Sequence, residues 1–178
     1  MEEKNTYTIK FVGLKEGKHQ FEYQITDQFF DFFEYDDFNK ADVKLNIGLN
    51  KKANMLEFTF EADGIMNLDC DVSTEPYDQE IQNNIKLVVK FGDDYNDDHE
   101  EILILPWSEY ELDVKQYIYE AIVLAIPQKR MHPGVEDGTL DSEILDKLED
   151  YQPKAEDDNK DEEKIDPRWE DLKKLLNE

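Results

Sequence analysis

Cys70 is the only cysteine of the chain, and its thiol is the side chain that most invites a chemical reading. It lies in Leu68-Asp69-Cys70-Asp71-Val72-Ser73-Thr74-Glu75-Pro76-Tyr77. Three readings compete: half of a metal site, a monothiol redox motif closed by Ser73, and a small buried apolar residue. Zinc takes about four Cys, His or carboxylate ligands, and the only histidines, His19, His99 and His132, are scattered. A reactive thiolate needs a helix N-terminus or cationic neighbours. Here the neighbours Asp69, Asp71 and Glu75 are expected to raise the thiol pKa, and no helical pattern follows. Cys70 is therefore expected to be packed and inert, on one strand face with Met66 and Leu68. An enzyme using its thiol is the third-ranked function.

No other constellation carries chemistry. There is no G-x-S-x-G elbow. Gly-rich phosphate loops are missing from a chain with seven glycines. The acidic clusters lack the Asp-x-Asx-x-Asx-Gly loop of a strong calcium site, and residues 93–101 read as a solvated acidic loop. The expectation is a protein that is not an enzyme and needs no cofactor or metal.

Charge points the same way. The formal net charge is −25 and the isoelectric point is near 4.3. Such a field repels nucleic acid, whose affinity for proteins comes from Lys and Arg on phosphates, and anionic membrane surfaces. It attracts basic partners. The best basic cluster, Lys129-Arg130 with His132 after it, reads as cations compensating a helix C-terminus; an RNA contact there is the alternative. The start Met-Glu-Glu-Lys-Asn does not read as a signal peptide, and no apolar run approaches the ~20 residues of a membrane helix. A soluble cytoplasmic protein is expected.

The elements that would position these residues follow from hydropathy period. Of the 178 residues 39% are hydrophobic, including ten Phe and nine Tyr, enough for a core. Residues 6–11, 19–25, 43–49, 55–62, 65–70 and 81–91 alternate or are rich in β-branched and aromatic residues, as strands are. Residues 102–105 add a short apolar strand. Turns are expected at Gly13–Gly17, at residues 50–54 and at Asp63-Gly64. Residues 27–38, dense in Phe and acid, read as a loop or short helical turn plugging one end of a sheet, or as a partner patch. Residues 112–126 have helical spacing, with Asp113 as N-cap and Pro127 as the stop. A short helix over 140–151 and a charged tether over 152–164 follow. In the last segment Asp166 caps, Pro167 takes the first helical position, and Trp169, Leu172, Leu175 and Leu176 form an apolar face.

The expected architecture is α+β: an antiparallel β-meander, as a sandwich or partial barrel, packed by one main helix, with an acidic tail ending in a short helix. The expected domains are an α+β core over 1–130, an acidic linker over 131–164 and a docking helix over 165–178.

Three landmarks occur in order: Leu68-x-Cys70-Asp71-x-x-x-Glu75-Pro76; Leu112-Asp113-Val114 leading to a helix with Glu120 and ending at Pro127; and Asp166-Pro167-Arg168-Trp169-x-x-Leu172. With them the chain, from about residue 65 to its end, resembles the YceD-like bacterial family, the large ribosomal RNA subunit accumulation proteins. Members often read Cys-Asp-Arg-Cys-Leu-Glu-Pro in the first landmark, where this chain has Val72, Ser73 and Thr74 in place of Arg, Cys and Leu. Many members also carry cysteines after the helix-ending proline, where this chain reads Met131-His132-Pro133-Gly134. A zinc role resting on those cysteines does not carry over. The resemblance implies a non-enzymatic role in accumulating large-subunit ribosomal RNA. The negative charge adds a mechanism: basic ribosomal proteins or assembly factors held as RNA would hold them, with ribosomal RNA itself contacted indirectly or weakly. Direct binding of the large-subunit precursor is the alternative.

Overall fold

The computed structural model describes residues 7–99, 101–141 and 143–151. The chain divides into two compact units, Met1–Leu140 and Asp141–Glu178. Among the described residues the first holds the strands β1 (Thr8–Lys10), β2 (Gly17–Thr26), β3 (Lys40–Lys51), β4 (Met55–Asp69), β5 (Pro76–Gly92), β6 (Asn96–His99), β7 (Ile102–Pro106) and β8 (Glu111–Asp113). It also holds helices α1 (Asp27–Phe30), α2 (Lys115–Val123) and α3 (Pro133–Glu136). In the second unit α4 spans Glu143–Tyr151, with Glu143 and Asp146 in its first turn, where acids suit the helix dipole.

Alternation places the core. Along β4 the residues Leu56, Phe58, Phe60, Ala62, Met66 and Leu68 are buried while their neighbours are not. Cross-strand partners continue the same face: Phe58 lies opposite Leu49 and Leu87, and Leu68 opposite Tyr77. Each of the Leu, Phe and Met side chains contributes about 1.5–3 kcal/mol when fully buried. A slip of one residue would turn the whole set to solvent, so the pattern fixes the register.

The large sheet has the order β2-β3-β4-β5-β7-β6, and β1 pairs with β8 in a two-stranded sheet. The fold is α+β, as expected. From β2 to β5 it is an antiparallel meander. Beyond that it departs from the expectation, because β7 lies parallel to β5, making the sheet mixed. The connection contains β6, which runs antiparallel to β7 at the sheet edge. Residues 93–101, expected to be a loop, thus contribute a strand. Asp97 and Asp98 are exposed on this edge strand, where charge discourages further pairing.

The expected turn at Asp63-Gly64 is also absent: β4 runs unbroken through it. Gly64 serves close approach instead. A Cβ there would sit 2.4 Å from the Asp42 carbonyl oxygen and 2.6 Å from the Val43 Cα.

The β1–β8 ribbon and α2 cover the inner face. Tyr7 meets Tyr23 of β2 and Phe11 meets Phe91 of β5. Tyr117 of α2 stacks on Phe60 at 5.7 Å. Asn83, a polar residue on the inner face of β5, donates from Nδ2 to the Ala121 carbonyl of α2 at 2.9 Å. The Phe-rich segment is α1 followed by a 3-10 turn (Asp31–Phe33), with Phe29 and Phe30 buried. Its rings pack on Tyr7, Phe38 and Tyr119, forming the expected aromatic plug.

The main helix is shorter than its periodicity. Its first apolar residues, Leu112 and Val114, are buried from β8 and the N-cap position. Asp113 therefore stands one residue ahead of the cap; its Oδ1 still accepts from the Lys115 N–H at 3.0 Å. At the other end the Ala125 and Ile126 amides bond back three residues, tightening the turn before Pro127. Among the described residues no helix is long and apolar enough to cross a membrane.

Candidate functional site

The loop after β4 is built around the Cys70 sulfur. Cys70 is buried at the end of the Met66–Leu68 face, as its alternation predicts. Its backbone closes the loop: the Cys70 N–H donates to the Glu75 carbonyl at 3.0 Å and the Thr74 N–H to the Cys70 carbonyl at 2.9 Å. Thr74 takes a left-handed φ of 61°, an uncommon conformation for a β-branched residue. Pro76 then opens β5 opposite Asp69. Ser73 is fully buried, and its Oγ accepts from the Glu75 N–H at 3.3 Å.

Two backbone amides aim at the sulfur, that of Ser73 at 3.5 Å and that of His132 at 3.3 Å. Burial pushes the thiol up. The His132 N–H, the Ser73 hydroxyl and the Ser73 and Val72 N–H groups outweigh it, and the pKa falls to about 7. This reverses the expectation from Asp69, Asp71 and Glu75. Those carboxylates lie close in sequence, but the sulfur faces hydrogen-bond donors that stabilise a thiolate.

The segment after α2 docks on this loop. Asp71 and Arg130 exchange two bonds, Asp71 N–H to the Arg130 carbonyl at 2.9 Å and Arg130 N–H to Asp71 Oδ2 at 2.8 Å. The Arg130 guanidinium is engaged elsewhere, with Nη2 on the Asp37 carboxylate and Nη1 on the Asp37 carbonyl at 3.3 Å. That hydrogen bond holds the Asp37 carboxyl below its usual range. Lys129 is exposed. His132 packs edge-on against Tyr77, and its Nδ1 accepts from the Gly134 N–H at 2.9 Å, capping α3.

The arrangement does not fit zinc. One thiol and one imidazole, whose Nδ1 already accepts from Gly134, fall short of the about four ligands zinc takes. Among the described residues no group of three His, Cys, Asp or Glu side chains converges as metal ligands would. In place of a metal, one backbone–backbone bond and one backbone–carboxylate bond between Asp71 and Arg130, with the His132 amide–sulfur contact, join the loop to the segment over 130–132.

Of the other sequence-singled residues, Glu120 sits on α2 and its carboxylate accepts from Gln116 at 2.8 Å. Pro127 follows the closing turn, half-buried. Asp71, Glu75 and Pro76 are brought together around Cys70; Glu120 belongs to another part of the unit. Asp166, Pro167, Arg168, Trp169 and Leu172 lie outside the described residues. Sequence reading missed the roles of Asp37 and of the His132 amide. A sequence signal was that Arg130 precedes, and His132 lies within, the segment singled out by the family resemblance.

A family model described as large ribosomal RNA subunit accumulation protein YceD matches residues 58–176. Searches of curated proteins and of solved structures return no match. The matched span starts within β4 and takes in the Cys70 loop, α2 and the segment docked on that loop; β1 to β3 precede it.

Proposed function

This chain belongs to the YceD family of large ribosomal RNA subunit accumulation proteins, and from that premise we propose that it supports large-subunit RNA without catalysing a reaction, by holding basic ribosomal proteins or assembly factors. The family match carries the process. The mode of action is supported by the net charge of −25, which draws basic chains together with a polyanion and disfavours RNA. A protein of this kind shields a basic partner until ribosomal RNA, with its denser charge, displaces it. Arg130 is turned to Asp37, which weakens the case for an RNA contact at Lys129 and Arg130.

The experiment is deletion of the gene followed by gradient profiling of ribosomal subunits. The expected result is a deficit of large subunits or accumulation of their precursors, restored by the wild-type gene and by Cys70→Ala. Normal profiles at every growth temperature overturn the proposal. Loss of complementation by a folded Cys70→Ala protein overturns the non-enzymatic part.

A further inference from the structure

The inner face of the large sheet is covered unevenly. α2 packs on β4 and β5, and between α2 and the β5–β7–β6 side of the sheet runs an open groove of about 1200 Å³. Its walls include Ile85, Ile102, Tyr117 and Val123, all half-buried. Tyr95 and Leu124 stand at its margin with 57% and 71% of their surface exposed. Large apolar side chains so exposed beside a concave apolar wall are the ordinary mark of a docking surface.

The rim is predominantly acidic, although Asp113 is paired with Lys115 at 2.9 Å. Asp97, Asp98 and Glu101 line it from the sheet edge, and Asp113 and Glu120 from the helix side. Lys86 is the only lysine or arginine among the described lining residues. These groups converge: burial, and then the charges of Tyr95, Glu120 and Asp97, push the Tyr117 phenol up to about 12. The groove is larger than the roughly 300–1000 Å³ of small-molecule pockets, and at nine residues α2 gives it a wall of about 13 Å. A peptide segment matches that size.

We propose that this groove docks a basic amphipathic segment of a partner protein, its Lys and Arg side chains on the carboxylate rim and its apolar side chains against Ile85, Tyr117, Val123 and Leu124. This rests on the reading that the protein acts through basic partners, and it gives that reading a place. Charge complementarity selects the occupant: an acidic or neutral amphipathic segment would meet Asp97, Asp98, Glu101 and Glu120 beside an apolar wall, whereas a basic one gains on-rate and register from them.

The test uses the full-length protein and a labelled peptide of lysines and leucines, with the leucines at helical spacing. A second peptide carries serine for leucine at the same charge. Fluorescence anisotropy should show the leucine peptide binding at least roughly tenfold more tightly than the serine peptide. Asp97→Lys with Glu120→Lys should weaken it by roughly tenfold or more. Glu22→Lys with Glu61→Lys, both exposed on the large sheet, makes the same change in net charge and should leave most of the affinity. Equal weakening by the two pairs, or equal binding of the two peptides, overturns the groove in favour of the general field. In the deletion strain, full complementation by the groove pair overturns the groove while the biogenesis role stands. A strain whose large subunits are normal removes that role, and the peptide measurement alone then decides the groove.

Discussion

The backbone amide of His132 points at the sulfur of Cys70 from 3.3 Å, across 62 positions of sequence. With the amide of Ser73 it turns an isolated, buried thiol into a group that ionises near neutrality. The loop after β4 and the segment after α2 are therefore joined at a titratable atom.

That junction makes stability depend on pH. The folded pKa, about 7, is below the ordinary value of 9.0, so between these values the unfolded chain binds more protons. Stability from the thiolate is present above pH 9 and is lost as pH falls through 7. The difference in unfolding free energy between wild type and Cys70→Ala should rise across pH 7 to 9, by on the order of 1–3 kcal/mol. Urea titrations at several pH values check it, and a pH-independent difference would place the thiol pKa elsewhere.

The Asp71–Arg130 exchange should matter more than the ion pair beside it. Asp71→Ala leaves the Arg130 N–H without its carboxylate acceptor and should destabilise by about 1–2 kcal/mol. Asp37→Ala removes a carboxylate that is 64% exposed, so the loss should stay below about 1 kcal/mol and shrink with salt. Chemical denaturation at low and high salt separates the two.

Gly64 should be intolerant of any side chain. Gly64→Ala puts a methyl into the β3 backbone and should cost about 2 kcal/mol or more. At Gly48 the nearest atom to a new Cβ is 3.9 Å away, and Gly48→Ala should be close to neutral. Thermal melting of the two variants is the comparison; similar melting temperatures would refute the close approach at Gly64.

The aromatic plug should divide sharply by burial. Phe30→Ala, at a fully buried ring touching Phe29, Phe38 and Tyr119, should destabilise by about 3–5 kcal/mol. Phe32, with 46% of its surface exposed, should tolerate Ala with a loss of about 1 kcal/mol or less. Equal effects would mean that the segment is not anchored as described.

What the sequence by itself determined is the local and periodic part. Alternation through β3, β4 and β5 put Leu45, Phe60 and Met66 inside and set Cys70 on their face, because a strand has two faces and burial selects one. The three landmarks were enough to point to the family, and the sign of the charge set an expectation of basic partners. Tertiary structure decided what rests on distant or competing neighbours. Asp63-Gly64 has the residues of a turn, but β3 and β5 pair along β4 on both sides and hold it extended. The acids of residues 93–101 look like loop until β7 supplies an edge to pair with. Asp69, Asp71 and Glu75 suggested a high thiol pKa because they are close in sequence. The His132 amide, remote in sequence and near in space, helps reverse it, since a hydrogen bond into a buried sulfur acts at short range and no count of neighbouring charges contains it.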